Sequence, residues 1–259
     1  MEYQIIYLKL LGGIGNQLFQ YAAGLLQQKI SNGVLVLSEA LNSHDTRDYR
    51  LNIFSGHYCY NEAQLPVPVQ TLYQEDPQGP WNPYEYTHPY VHYYGYFQNY
   101  NCLKPILPYF KETILSKLEP YKNKSLDKYK ISLLSGFIHI RRGDYLDHPS
   151  LFPICTDNYY TSAVERFPHI TTWYIFCENK DDTIDLCKSI KNTVYVEEKD
   201  PLYSLALMTE IRGAAIIANS TFSWMGAFLG LGETSEVVYP LKWLHKDCTQ
   251  MFPDQWIGI

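Results

Sequence analysis

His139, Arg141, Arg142, Gly143 and Asp144 stand together at the end of an apolar run, Ser132 to Ile140, that reads as a short buried strand. Arginine suits phosphate, because its planar guanidinium offers several donors in a fixed fork. In an open α/β sheet ligands gather at the carboxyl ends of the strands, where these residues would lie. Side chains alternate along a strand, so His139 and Arg141 share one face and Arg142 takes the other. His139 and Arg141 are therefore expected to face a ligand. Arg142 and Asp144 are expected to serve in part as scaffold, with Asp144 orienting Arg142. The plainer alternative is a surface turn with an Arg–Asp pair, or an adhesion-type Arg142-Gly143-Asp144 tripeptide.

A second polar cluster, Asn219, Ser220, Thr221, Phe222 and Ser223, follows the apolar stretch Ala214 to Ala218 and precedes a small-residue helix expected from Met225. Hydroxyls and backbone N–H groups at a helix start attract anions. Positive charge from one loop and a helix N-terminus from the other would suit a diphosphate. The alternatives are an ordinary helix cap or an N-glycosylation acceptor.

A third element is the glycine turn Leu11-Gly12-Gly13-Ile14-Gly15 after a strand expected over Tyr3 to Leu10. Asn16 is expected to cap the next helix. There Leu18, Tyr21, Ala22, Leu25 and Leu26 recur at helical spacing. Gly33 reads as its stop, and Val34 to Leu37 as the next strand. This βα loop lacks the third glycine of a dinucleotide fingerprint and the Gly-Lys-Ser/Thr of a P-loop. Its glycines do allow backbone N–H groups to approach a ligand closely, unless the turn is simply tight and empty.

Between these motifs, Leu41 to Pro83 is proline-studded and reads as irregular. Tyr93 to Gln98 reads as a strand with a sugar-facing edge, or as plain aromatic packing. His88 and His92 are four apart, but Pro89 breaks a helix there, so no metal site is expected. Tyr109 to Leu118 fits an amphipathic helix, and the lysine-rich Tyr121 to Lys130 a linker. That places a domain boundary between residues 1–125 and 126–259. Helices over Asp157–Phe167, Asp181–Ile190 and Asp200–Arg212 alternate with strands over Thr172–Cys177, Thr193–Val196, Ala214–Ala218 and Val237–Tyr239. Such alternation favours parallel sheets covered on both faces.

A net charge of -6 over 259 residues argues against a nucleic-acid binder. The six cysteines are scattered, without a Cys-x-x-Cys pair, as expected of structural thiols in a reducing compartment. The N-terminal stretch has no basic region with a cleavage site. A cytoplasmic protein, or one peripheral to the cytoplasmic face of a membrane, is expected rather than a secreted one. The run Gly213 to Gly232 carries no charge, but Asn219, Ser220, Thr221 and Ser223 in its centre would be costly in lipid. A strand, a loop and a helix account for it, so no integral membrane segment is expected. The 24 tyrosines hint at carbohydrate, since aromatic faces stack on sugars and phenols reach their hydroxyls.

Four stretches in order carry a resemblance: Gly12-Gly13-Ile14-Gly15-Asn16-Gln17-Leu18-Phe19-Gln20-Tyr21-Ala22, Gly95-Tyr96-Phe97-Gln98, His139-Ile140-Arg141-Arg142-Gly143-Asp144-Tyr145 and Ala218-Asn219-Ser220-Thr221-Phe222-Ser223-Trp224. Together they resemble the α1,2-fucosyltransferases, glycosyltransferase family 11. The resemblance implies an α/β, GT-B-like fold with two Rossmann-like domains facing a central cleft. It implies inverting transfer of fucose from GDP-fucose to a galactoside or other sugar hydroxyl. On that footing the C-terminal domain binds donor through His139, Arg141, Arg142, Asn219, Ser220, Thr221, Phe222 and Ser223. The N-terminal domain faces the acceptor through Gly13, Gly15, Asn16, Gln17, Tyr96 and Gln98. Arg141 is expected to stabilise the leaving GDP, and Asp144, Asp147 and His148 are candidates for the proton acceptor. No Asp-x-Asp occurs in the chain, so no metal and no further cofactor is expected. The chain departs from the family at Cys177-Glu178-Asn179, where an Asp-Asp pair is usual, at Met225, and at Ile211-Arg212-Gly213-Ala214. Those departures leave open a different nucleotide sugar, or a sugar- or nucleotide-binding module without turnover. A nicotinamide oxidoreductase fits least.

Overall fold

The computed structural model describes residues 3–38, 56–60, 65–74, 76–126, 128–244 and 248–259. The chain divides into two compact units, Met1–Ile114 and Leu115–Ile259. Each is a parallel sheet with helices packed on it.

In the first unit the elements are β1 (Ile5–Leu8), α1 (Ile14–Ser31), β2 (Val34–Ser38), β3 (Tyr58–Tyr60), β4 (Gln70–Tyr73), β5 (Tyr90–Tyr94) and α2 (Tyr100–Leu103). The strands lie in the order β3-β2-β1-β5-β4, all parallel. β3 and β4 fall in the stretch expected to be irregular. Both are short and polar, and they are held as strands by pairing with β2 and β5. The part of that stretch from residue 41 to 55 lies outside the described residues. Of the strand expected over Tyr93–Gln98, only Tyr93 and Tyr94 are extended in β5, and Phe97 adopts a left-handed conformation at φ 53°.

Helix α1 buries the apolar stripe read from the sequence, and its ends differ from expectation. It begins at Ile14 with Gly13 as N-cap, so Asn16 lies inside the first turn rather than at the cap. Its stop is Asn32, left-handed at φ 52°, ψ 36°, with Gly33 one residue beyond. Asparagine is among the few non-glycine residues that tolerate this region.

Helix α3 (Leu107–Leu126) carries the chain across the division between Ile114 and Leu115. The boundary expected at 125/126 falls at the far end of this helix. The second unit then holds β6 (Ser135–Ile140), α4 (Asp144–Asp147), α5 (Asp157–Glu165), β7 (Thr172–Cys177), α6 (Ile184–Cys187), β8 (Thr193–Tyr195), α7 (Pro201–Glu210), β9 (Ala214–Ile216), α8 (Thr221–Leu231), β10 (Val237–Tyr239) and β11 (Ile257–Gly258). The start of the stretch read as a linker is helical, because Tyr121 packs edge-on to Tyr203 and Lys122 reaches Glu210 at 2.9 Å, both on α7.

The second sheet has the order β11-β10-β9-β6-β7-β8, again all parallel. β11, beside β10, forms one edge. Ile138 and Ile140 face α5, packing with Tyr160 and Ala163, while alternate residues of β6 face the other way. The uncharged run resolves into β9, a loop and the eleven-residue α8, which is buried nearly all round, as expected of an interior helix. It starts at Thr221 rather than Met225. Among the described residues no helix is long and apolar enough to cross a membrane.

Candidate active site at the topological switch

β6 lies at the middle of the second sheet. The chain runs outward through β7 to β8, then returns to β9 on the other flank of β6. An open parallel sheet binds ligands at such a reversal, just beyond the strand ends. The two loops that leave β6 and β9 there are Arg141–Asp144 and Ile217–Ser220. Register fixes their proximity, because Ile138 sits opposite Ile216. Tyr145 ties them together: its hydroxyl donates to the Asn219 backbone carbonyl at 3.0 Å.

Alternation along β6 distributes the site residues. His139 is buried, with its ring 5.8 Å from that of Phe222 at the start of α8. Its Nδ1 is buried without a hydrogen-bond partner. Burial first, and the neighbouring Arg141 charge second, lower its pKa to about 3. It is therefore a neutral imidazole with hydrogen-bonding capacity left over.

Arg141 is held between two carboxylates. Its Nη2 donates to Asp144 Oδ1 and its Nη1 to Glu178 Oε1. The guanidinium also lies 5.0 Å from the centroid of the Tyr145 ring, which in turn stacks on Phe152 at 4.2 Å. Asp144 thus pairs with Arg141, whereas the sequence had suggested that it orients Arg142. The tight turn at Gly143, φ 40°, swings Asp144 back toward the residue three before it. Arg142 takes the opposite face, on the side of Cys155 and Tyr160; burial raises the pKa of both groups, and the Arg142 charge offsets part of that rise. Its Nε is buried without a hydrogen-bond partner, and among the described residues it has no carboxylate partner. Asp147 and His148 are exposed at the end of α4.

On the β9 side the residues divide by role. The Asn219 side chain is spent on structure: its Nδ2 donates to the carbonyls of Pro153 at 2.8 Å and Trp243 at 3.1 Å. The Ser223 hydroxyl turns inward to the carbonyl of Ser220 at 3.1 Å. Both belong to the cluster expected to meet a ligand through hydroxyls and backbone N–H groups, and these bonds commit the two side chains to holding the loop. Ser220 is the N-cap of α8 yet makes no side-chain capping bond. The plain helix-cap alternative therefore does not hold at Ser220. Helix N-termini leave backbone donors that an anion satisfies. Phe222 and Thr221 are half-buried on the first turn.

The first unit has a counterpart. Its order reverses between β1 and β5, and their ends carry the glycine turn and Gly95–Gln98. Gln98 Nε2 donates to Asn16 Oδ1 at 2.9 Å, and Gln78 Nε2 to Gln98 Oε1 at 2.9 Å. Gln17 is fully buried, and its Nε2 braces the Gly12 carbonyl at 2.8 Å, so it shapes the turn from within. Gly12 is left-handed at φ 70°, and a side chain there would meet Asn16. Gly13 and Gly15 lie at the helix start, and Tyr96 is half-buried beside Gln98.

Residues 76–259 match the family model described as Glycosyl transferase family 11. The chain belongs to glycosyltransferase family 11. It is similar to an α-1,2-colitosyltransferase of Escherichia coli, 25% identical with 98% of this chain and 99% of the relative covered. It is also similar to the Escherichia coli O-antigen biosynthesis glycosyltransferase WbnK, 28% identical with 98% and 100% covered. Among solved structures, fucosyltransferase NodZ from Bradyrhizobium matches with a TM-score of 0.54 at 9% identity, over 88% of this chain and 94% of that one. NodZ, an α-1,6-fucosyltransferase, has also been solved after soaking with GDP-fucose; that structure matches with a TM-score of 0.51 at 10% identity, over 88% and 93%. The likeness shows the fold class, GT-B-like, with two Rossmann-like units that each hold a parallel sheet.

Sequence reasoning missed two residues of this candidate site. Glu178 entered only as a departure from the family pattern, and Tyr145 only as the end of a motif. The register of β6 with β7, Ile140 opposite Cys177, puts Arg141 and Glu178 side by side at the strand ends. Strand order is not readable from one sequence, so that juxtaposition was not either. Among the described residues no group of three or more His, Cys, Asp or Glu is placed to hold a metal ion.

Proposed function

We propose that this glycosyltransferase moves fucose from GDP-fucose to a galactoside hydroxyl, with inversion, forming an α1,2 linkage. One observation carries the reading: two loops of phosphate-binding character leave adjacent strands at the sheet's reversal and are joined by Tyr145. The fold shared with a fucosyltransferase that has been soaked with GDP-fucose supports the donor. The α-1,2 linkage in a relative's name supports the regiochemistry.

In the transfer the bond from the sugar's anomeric carbon to the diphosphate oxygen breaks, and a bond to the acceptor oxygen forms. The transition state is oxocarbenium-like, as in glycoside cleavage, and charge grows on the departing diphosphate. Arg141 has five N–H donors, and Asp144 and Glu178 occupy two of them. The other three are available to phosphate oxygens. Because two carboxylates offset its charge, attraction of the donor falls to Arg142 and the first turn of α8. Arg141 then contributes fixed donors aimed at developing charge, the arrangement that lowers barriers most.

Inversion needs the acceptor hydroxyl to arrive opposite the leaving group, and its proton must leave on that side. Asp144 and Glu178 both touch the arginine on the leaving-group side. They are therefore ill placed as proton acceptors, which leaves Asp147 and His148 of the residues considered. The guanidiniums take the part that a metal–diphosphate clamp plays elsewhere, so transfer proceeds without a metal.

A second reading has one observation in its favour. A relative matching nearly the whole chain is a colitosyltransferase, so the donor sugar can be colitose. Incubating the purified chain with GDP-fucose or with a nucleotide-activated colitose, over an array of galactosides, separates the two. NMR of the product gives linkage and anomeric configuration. No transfer from either donor, or a β-linked product, would overturn the proposal.

A further inference from the structure

We infer that Glu178 is a positioning residue for the transfer, fixing the Arg141 guanidinium from the neighbouring strand. The inference rests on the donor-site reading given above. Four observations converge on it. The register pairs Ile140 with Cys177, so the next residues, Arg141 and Glu178, leave β6 and β7 at the same level. Glu178 Oε1 accepts from Arg141 Nη1, while Asp144 Oδ1 accepts from Nη2. Opposite terminal nitrogens are thus tied, and the plane of the fork cannot turn. Gly143 is the residue over which Glu178 lies: a Cβ there would run into Glu178 Oε2. A side chain there would displace the carboxylate from its place beside Arg141, in addition to the strain of a positive φ.

The two anchors are not equivalent. Asp144 sits three residues along the same loop and moves with Arg141. Glu178 directly follows a different strand, β7, and ties the guanidinium to the frame of the sheet, where α8 is also rooted. A fork held to that frame keeps its remaining N–H groups in fixed relation to the α8 N-terminus. Misplacing a catalytic group by about 1 Å can cost about 10²-fold in rate, so loss of this tie should appear in kcat. Glu178 is half-exposed, so its removal leaves no buried hole.

The test combines kinetics with a direct view of the arginine. Glu178→Ala, Glu178→Gln and Glu178→Asp are compared with the unaltered protein for kcat, donor KM and ¹⁵N relaxation of the Arg141 Nε–H signal. For Glu178→Ala the expectation is a fall in kcat of about ten- to a hundredfold, little change in donor KM, and a mobile Arg141 side chain. Glu178→Asp should recover part of both the rate and the rigidity. In a cycle with Arg141→Lys the two losses should fail to add, because the residues act as a unit. An unchanged kcat with a tighter donor KM would mean that Glu178 merely repels the diphosphate, and would overturn the inference. So would an Arg141 signal as rigid in Glu178→Ala as in the parent. If the parent itself transfers from neither donor, the proposed function fails, while the Arg141 relaxation still decides whether Glu178 holds the arginine.

Discussion

The hydroxyl of Tyr145 donates to the main-chain carbonyl of Asn219 at 3.0 Å, fastening the loop that follows β6 to the loop that precedes α8. The same ring stacks on Phe152 and lies beside the Arg141 guanidinium. One side chain thus sets both the spacing of the two loops and the floor under the arginine. Tyr145→Phe removes only the strap. It should cost about 1 kcal/mol of stability, the usual net value of one hydrogen bond, and lower kcat/KM by about fivefold if that whole strap acts in the transition state. Thermal melts and steady-state kinetics on the same preparation check both numbers. Unchanged kinetics would show that the loops keep their spacing without it.

Arg141→Ala should abolish measurable transfer while leaving the fold intact. Losing one donor aimed at developing charge costs about 10²–10³ in rate. Asp144 and Glu178 would lose their partner, but both are more than two-fifths exposed, so water can solvate them. Circular dichroism should match the parent. Arg141→Lys should also be strongly impaired, because an ammonium cannot span Asp144, Glu178 and a phosphate as a planar fork does. Full activity in either variant would remove Arg141 from the mechanism.

How far the sequence carries this far depends on the residue. The elements around Thr172–Cys177 and Val34–Ser38 are legible because apolar runs bounded by polar residues leave few alternatives. The loop after β6 is legible as a candidate for binding phosphate because guanidinium chemistry is local to Arg141 and Arg142. Which arginine Asp144 serves is not, since a single left-handed residue, Gly143, redirects it. Glu178 is 37 residues from Arg141, and only the pairing of β6 with β7 brings them together. The partners of the Asn219 side chain are hidden for a related reason. Polar residues at a strand end are equally suited to bind a ligand or to satisfy nearby carbonyls, and Pro153 and Trp243 lie far off in sequence.

Gln98→Ala should impair acceptor use and spare the donor. Gln98 links Asn16 of the glycine turn to Gln78, and all three belong to the first unit. If that unit reads the acceptor, acceptor KM should rise several-fold, with GDP affinity by calorimetry unchanged. A matching loss of GDP affinity would place Gln98 in the donor's path and revise the division of labour.

Transfer should survive EDTA. The diphosphate is assigned to Arg141, Arg142 and the start of α8, all of which supply charge or donors without a bound ion. Treatment with chelator, followed by assay with and without added Mg²⁺ or Mn²⁺, should give rates within about twofold. A requirement for either ion would mean that the guanidiniums do not suffice to hold the leaving group.

His139 sets a dependence of stability on acid. Its folded pKa is lowered to about 3 from an ordinary 6.5, chiefly by burial. Above pH 6.5 the imidazole is neutral in both folded and unfolded chains and contributes no pH dependence. Below it the unfolded chain takes up a proton that the folded one refuses, so stability falls as pH falls, down to about pH 3. The slope is about 1.4 kcal/mol per pH unit for one such group, or about 2 kcal/mol between pH 6.5 and 5. Urea melts at those two values should show the parent losing stability and His139→Gln losing less by that amount. The comparison between proteins cancels the carboxylates, which titrate alike in both. Equal losses would mean that His139 is protonated in the folded state, and its role as a neutral partner for the donor would have to be given up.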